Sequence, residues 1–108
     1  MKPEPKVIKI DTRGQEYVRL LGGPPESVSM RSGAVSLQPG GKVGKHNTGC
    51  NEELLIVLAG DGSLLLGESQ QLDMVAGNVL YCPPETEHDV MNTGTGILQY
   101  IYVTARTK

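Results

Sequence analysis

The sequence predicts an all-β sandwich or barrel, and three observations predict it. Fourteen glycines and seven prolines punctuate 108 residues at short intervals. The segments between them are brief and rich in aliphatic and β-branched side chains. No stretch of helical length carries apolar residues at a 3.6-residue period. Many short strands with regular turn signals are the pattern of an antiparallel sandwich or barrel.

Read in order, the expected strands are Val7–Ile10, Glu16–Leu20 and Val28–Leu37, the last two separated by Gly22-Gly23-Pro24-Pro25. Pro39-Gly40-Gly41 turns the chain before Glu53–Leu58. The sequence Gly60-Asp61-Gly62 then leads into Ser63–Leu66. An Asp-Gly pair tolerates the positive φ of a tight turn, so these two strands are expected to form the clearest hairpin. Gln70–Met74 follows Gly67, and Val79–Tyr81 follows Gly77. Pro83-Pro84 precedes His88–Met91, and Gly94-Thr95-Gly96 precedes Leu98–Val103. Leu54 to Leu58 is apolar on both faces, so its outer face must be covered by the chain's own second sheet or by another subunit. A homodimer is the expectation.

A chain of this length supports one domain, which buries roughly 65% of its unfolded surface. Its parts are residues 1–27 as N-terminal strands or arm, 28–103 as the barrel and 104–108 as a C-terminal tail. Net charge is −2, from 10 basic and 12 acidic residues. No global field therefore recruits nucleic acid or an anionic membrane. Lys2, Lys6, Lys9, Arg106 and Lys108 gather at the ends and read as solvated tails.

No apolar run approaches the ~20 residues that span a bilayer, and the N-terminus lacks a signal peptide's apolar region. A cytoplasmic location is expected, with Cys50 and Cys82 as reduced thiols. Their spacing offers neither a C-x-x-C motif nor a disulfide framework. Phe and Trp are absent and there are four Tyr, which leaves few rings for stacking a sugar or nucleobase.

The chemistry gathers around the only two histidines, His46 and His88, and the pair Glu52-Glu53. In one segment Gly40 lies five residues ahead of His46, Thr48 follows two residues on, then come Glu53 and Gly60. In the other, Gly77 is followed by Pro83, Glu85, His88 and Asn92. On these residues the chain resembles the cupin superfamily from about Val28 to Val103. The first family motif is Gly, five residues, His-x-His, three or four residues, Glu, six residues, Gly. The second is Gly, five residues, Pro-x-Gly, two residues, His, three residues, Asn.

The resemblance implies a double-stranded β-helix, or jelly-roll, barrel. It also implies a divalent metal held by three histidines and one glutamate, of which this chain offers His46, Glu53 and His88. Thr48 stands where the family has its second histidine, and Glu85 where it has glycine. The second departure is expected to be minor if Glu85 makes a tight turn without positive φ, helped by Pro84.

The residues support the same ligand set on their own terms. A divalent ion needs deprotonated donors converging from different strands, and alternate strand residues share a face. Two imidazoles and a carboxylate suit non-haem Fe(II) with open positions, and equally Mn, Zn or Ni. Glu53 is favoured over Glu52, its neighbour on the opposite face. Thr48 shares a face with His46 and is expected to hold a water in the vacated position, and a regular strand would add Cys50 to that face. Cys82 reads as a small buried hydrophobe. Tyr100 and Tyr102 share one face of a barrel wall, and Asn92 reads as a turn residue bonded to its own backbone.

Two functions follow as expectations. One is a metal-dependent barrel that acts on or binds a small molecule, with dioxygenase-like or isomerase-like chemistry. The other is a non-catalytic barrel that binds or senses a small ligand through a degenerate metal site. Neither helix-turn-helix pattern nor basic stripe points to DNA.

Overall fold

A computed structural model describes residues 2–108. Nine strands and no helix occur among them, and all strand pairs are antiparallel. The strands are β1 (Tyr17–Gly22), β2 (Arg31–Leu37), β3 (His46–Asn47), β4 (Asn51–Ala59), β5 (Asp61–Leu66), β6 (Gln70–Val75), β7 (Val79–Cys82), β8 (Glu87–Asn92) and β9 (Leu98–Arg106). They form two sheets, ordered β1-β2-β9-β4-β7 and β3-β8-β5-β6. This is the expected double-stranded β-helix.

The core lies between the sheets and is aliphatic, because period-2 alternation sends one face of each strand inward. In β4, Leu55 and Val57 are buried, while in β7 Leu80 and Cys82 are buried and Val79 and Tyr81 are exposed. Val35, Leu37, Leu64, Met74, Val90, Leu98 and Tyr100 complete the same cluster. Asn92 is a structural residue, as expected. Its amide donates to the carbonyls of Leu37 and Gly96, and its side-chain oxygen accepts the Gly94 N–H.

The structure corrects three expectations about the fold. Val7–Ile10 forms no strand, and Val7 is 91% exposed. A short apolar run flanked by lysines found no partner strand to complete its hydrogen bonds. The segment Gly60–Gly62 is not a hairpin: β4 pairs with β7 and β9, whereas β5 pairs with β6 and β8. Gly60 is instead a corner that passes the chain from one sheet to the other. Its φ is 84° and a Cβ there would lie 2.3 Å from the Ile97 carbonyl, so only glycine fits.

The third correction concerns Glu85, which adopts φ 54° and so keeps the left-handed conformation of the glycine it replaces. That costs about 1–2 kcal/mol. The bond from Glu85 N–H to the Gly49 carbonyl, 3.0 Å, helps hold it.

Candidate metal centre

His46 and His88 reach one point because β3 pairs with β8 in a register that sets them directly opposite each other. Directly opposite residues of an antiparallel pair share a face. Their ring centroids are 4.0 Å apart, with the planes inclined at 61°. Glu53 arrives from the other sheet, on the inward face of β4 between Cys82 of β7 and Thr104 of β9. One ligand atom from each of the three lies within 4.8 Å of the other two.

Hydrogen bonds decide which ring atoms are available. His46 Nδ1 lies 2.9 Å from the Gly44 carbonyl and His88 Nδ1 lies 3.1 Å from the Thr86 carbonyl. A carbonyl only accepts, so Nδ1 carries the proton in both rings and Nε2 is left with a lone pair. Hydrogen bonds from Nδ1 to a carbonyl orient metal-binding histidines.

His88 is 1% exposed and Glu53 8%. Nε2 of His88 sits 3.3 Å from Glu53 Oε1, yet it makes no hydrogen bond. A buried lone pair facing a carboxylate is unfavourable until a cation sits with them, whether a proton or a metal ion. Accordingly the Glu53 carboxylate holds the His88 imidazole above its ordinary value, with burial opposing and the Thr86 carbonyl assisting.

The neighbouring glutamate is excluded by its direction. Glu52 faces outward and accepts the Tyr81 hydroxyl at 2.8 Å. Cys82 is fully buried, and burial, then Glu53, pushes its thiol up, as an inert core residue requires. Cys50 lies beyond the end of β3, exposed, in a separate cleft with Arg31 and Arg106. The strand is therefore too short to bring it to the site, and Arg106 belongs to β9 rather than to a solvated tail.

Thr48 is buried and lines the cavity, and its hydroxyl bonds the loop that leads into β8. It donates to the Pro83 carbonyl at 2.7 Å and accepts the Thr86 N–H at 3.0 Å. Thr48 clamps the Pro83–Thr86 loop, and Thr86 in turn orients His88.

His46 and Glu53 line a cavity of ≈ 510 Å³, with His88 buried behind them, and its walls are Val35, Val43 and Val90 with Tyr17, Tyr100 and Tyr102. Tyr100 and Tyr102 share the inward face of β9, as expected. Burial raises both phenols, so they stay neutral near pH 7. Tyr17 stacks on Tyr102, and their hydroxyls lie 2.8 Å apart. Both rings sit over Gly33, where a Cβ would meet each of them at 2.7 Å. Sequence reasoning did not find Tyr17, because nothing in a lone tyrosine on an N-terminal strand says which cavity it overhangs. Asp89, which accepts the Gly44 N–H at 2.8 Å, was not legible either, because that contact depends on strand register.

A sequence model of the family described as "Cupin domain" matches residues 33–104. A search of curated proteins found no match. Among solved structures, a Bacillus halodurans protein is similar at TM-score 0.80 and 23% identity, covering 98% of this chain and 84% of that one. A Cupin 2 conserved barrel domain protein from Salinispora arenicola gives TM-score 0.71 and 23% identity over 96% of this chain and 87% of that one. The cupin domain of Schizosaccharomyces pombe Cnp3 gives TM-score 0.73 and 18% identity over 83% of this chain. The match spans 59% of the length of that yeast protein chain.

Proposed function

Because the chain belongs to the cupin domain family, we propose that it holds one divalent cation with Nε2 of His46, Nε2 of His88 and the Glu53 carboxylate, and binds a small molecule beside it. The supporting observation is the His88 Nε2, fully buried and unbonded 3.3 Å from a carboxylate. That is a pair awaiting a cation, and a third donor, His46, lies within 4.8 Å. Fe, Mn, Zn and Ni all accept such a set, and in this position the ion would supply Lewis-acid or oxygen-activating chemistry.

The chain's own residues shape what binds. Thr48 spends its hydroxyl on the loop, so three donors leave coordination positions open to a ligand. In the Tyr17–Tyr102 pair one hydroxyl donates to the other, which leaves one O–H free to donate to an acceptor on the ligand. The valine and tyrosine walls exclude water from an apolar body of modest size. The test is elemental analysis of untagged protein purified without chelator or added metal. Near-stoichiometric Fe, Mn, Ni or Zn, lost in His46→Ala, supports the proposal. Trace metal that stays unchanged after anaerobic incubation with Fe(II) favours the second reading, a ligand-sensing barrel in which His88 and Glu53 share only a proton.

The partner we propose besides the small molecule is a second copy of the chain, not nucleic acid or a membrane. No helix long and apolar enough to cross a membrane occurs among the described residues. On the outer face of the five-stranded sheet, Leu54 stands opposite Tyr81 and Ile56 opposite Val79. Val103 and Ile101 flank them on β9. Leu54, Val79 and Tyr81 are 38%, 55% and 53% exposed, and a contiguous apolar face of this kind suits association. The free thiols of Cys50 and Cys82 fit a reducing compartment such as the cytoplasm.

A further inference from the structure

The segment leading into His46 runs antiparallel to β8, but its register changes on the way. Lys42 stands opposite Met91, and the Val43 N–H donates to the Val90 carbonyl at 3.0 Å. A regular ladder continued from there would set Lys45 opposite His88. Instead His46 is opposite His88 and Asn47 opposite Glu87. Gly44 and Lys45 together therefore face Asp89 alone, which is a one-residue β-bulge. Without that extra residue Lys45 would share the face of His88 and His46 would point to the other side.

A bulge leaves a backbone donor without a ladder partner, and here that donor is satisfied by a side chain. Asp89 Oδ1 accepts the Gly44 N–H at 2.8 Å and the Val90 N–H at 2.7 Å. Asp89 is only 6% exposed, and a buried carboxylate is tolerated when its charge is met by donors of this kind. Gly44 has φ 113° with open space where a Cβ would be, so glycine is required there by conformation and not by crowding. The same residue's carbonyl receives Nδ1 of His46. Its N–H is thus fixed by Asp89, while its carbonyl aims the imidazole.

We infer that Asp89 is a positioning residue: by closing the bulge at Gly44–Lys45 it selects His46, rather than Lys45, as the side chain that stands beside His88. This rests on the metal site proposed above, where it decides whether the third donor is delivered.

The probe is Co(II) added to metal-free protein, with affinity read by calorimetry. Asp89→Ala should weaken binding roughly 10- to 100-fold, as loss of an orienting partner does elsewhere. Asp89→Asn, whose amide oxygen can accept the same two N–H groups, should keep most of the affinity. In a His46→Ala background, Asp89→Ala should cost nothing further. The register itself is read by NMR on the metal-free protein, as a cross-strand NOE between residues 46 and 88 that gives way to one between 45 and 88 in Asp89→Ala. Should Asp89→Ala not fold, deletion of Gly44 removes the bulge and keeps His46 opposite His88, and Asp89→Ala made in that variant should leave Co(II) affinity unchanged.

Three results overturn the inference: Co(II) affinity unchanged in Asp89→Ala, an equal loss in the His46→Ala background, or an equal loss in Asp89→Asn, which would indict the charge. Failure of the wild-type protein to bind Co(II) overturns the metal reading instead. The NOE pattern then decides the register claim alone, and a 46–88 contact that persists in Asp89→Ala refutes it.

Discussion

His46 and His88 face each other across β3 and β8, and each turns Nδ1 to the carbonyl two residues before it, Gly44 for one and Thr86 for the other. The two rings present Nε2 as a matched pair. Only His88 is buried, so its Nε2 is the atom that most needs a cation.

Proton and metal compete for that atom. The Glu53 carboxylate raises His88 above its ordinary value, so the metal-free fold binds this proton more tightly than the unfolded chain does. Its stabilisation is full below the unfolded value of about 6.5 and is lost as pH rises through the higher folded value. A metal ion requires the neutral ring. The gain in Tm on adding ZnCl2 should therefore be small near about pH 5.5 and grow with pH, with a midpoint above about 6.5. A gain that is flat with pH, measured by differential scanning fluorimetry, would count against zinc binding at His88.

Thr48→Val leaves the Pro83 carbonyl and the Thr86 N–H without their partner. Unpaired groups in a partly buried loop cost about 1–3 kcal/mol. Urea unfolding should show that loss. Metal affinity should fall with it, since Thr86 also orients His88. Unchanged stability would mean that water replaces the hydroxyl.

Gly60→Ala places a methyl against the Ile97 carbonyl at a positive φ. Both the clash and the conformation oppose alanine, and a loss of more than about 1 kcal/mol is expected. Gly96→Ala, with open space around it and no positive φ, is the control and should be near neutral. Equal effects in urea titrations would show that the corner yields.

The pair Leu54→Glu and Val79→Glu puts two charges on the outer face of β4 and β7 without touching the cavity. Light scattering after gel filtration should shift the mass from two chains to one while metal content stays the same. A wild-type protein that is already monomeric, or a double variant that remains dimeric, removes this face as the interface.

Much of the fold was legible because turn residues and strand alternation are local. The strands Gln70–Met74 and Leu98–Val103 fall inside observed β6 and β9, and Val79–Tyr81 inside β7. Local chemistry misled at Gly60-Asp61-Gly62, where the residues of a tight turn make a corner between sheets. A turn signal says that the chain bends, and only the partners of the flanking strands say which way. Val7–Ile10 misled for the related reason that a strand exists only with a neighbour to bond.

By itself the sequence determined the all-β class, the cupin motif spacing and the three candidate donors, since those depend on residue type and separation along the chain. Tertiary structure alone decided how the donors meet. Glu53 rather than Glu52 points inward because of the pleat of β4 against β7 and β9. Thr48 holds a loop because Pro83 and Thr86 come within hydrogen-bond reach from far along the chain. His46 faces His88 across a bulge whose unpaired N–H finds Asp89, 45 residues away. The pleat, the loop clamp and the bulge are each set by hydrogen bonds between distant residues, and motif spacing carries no record of those bonds.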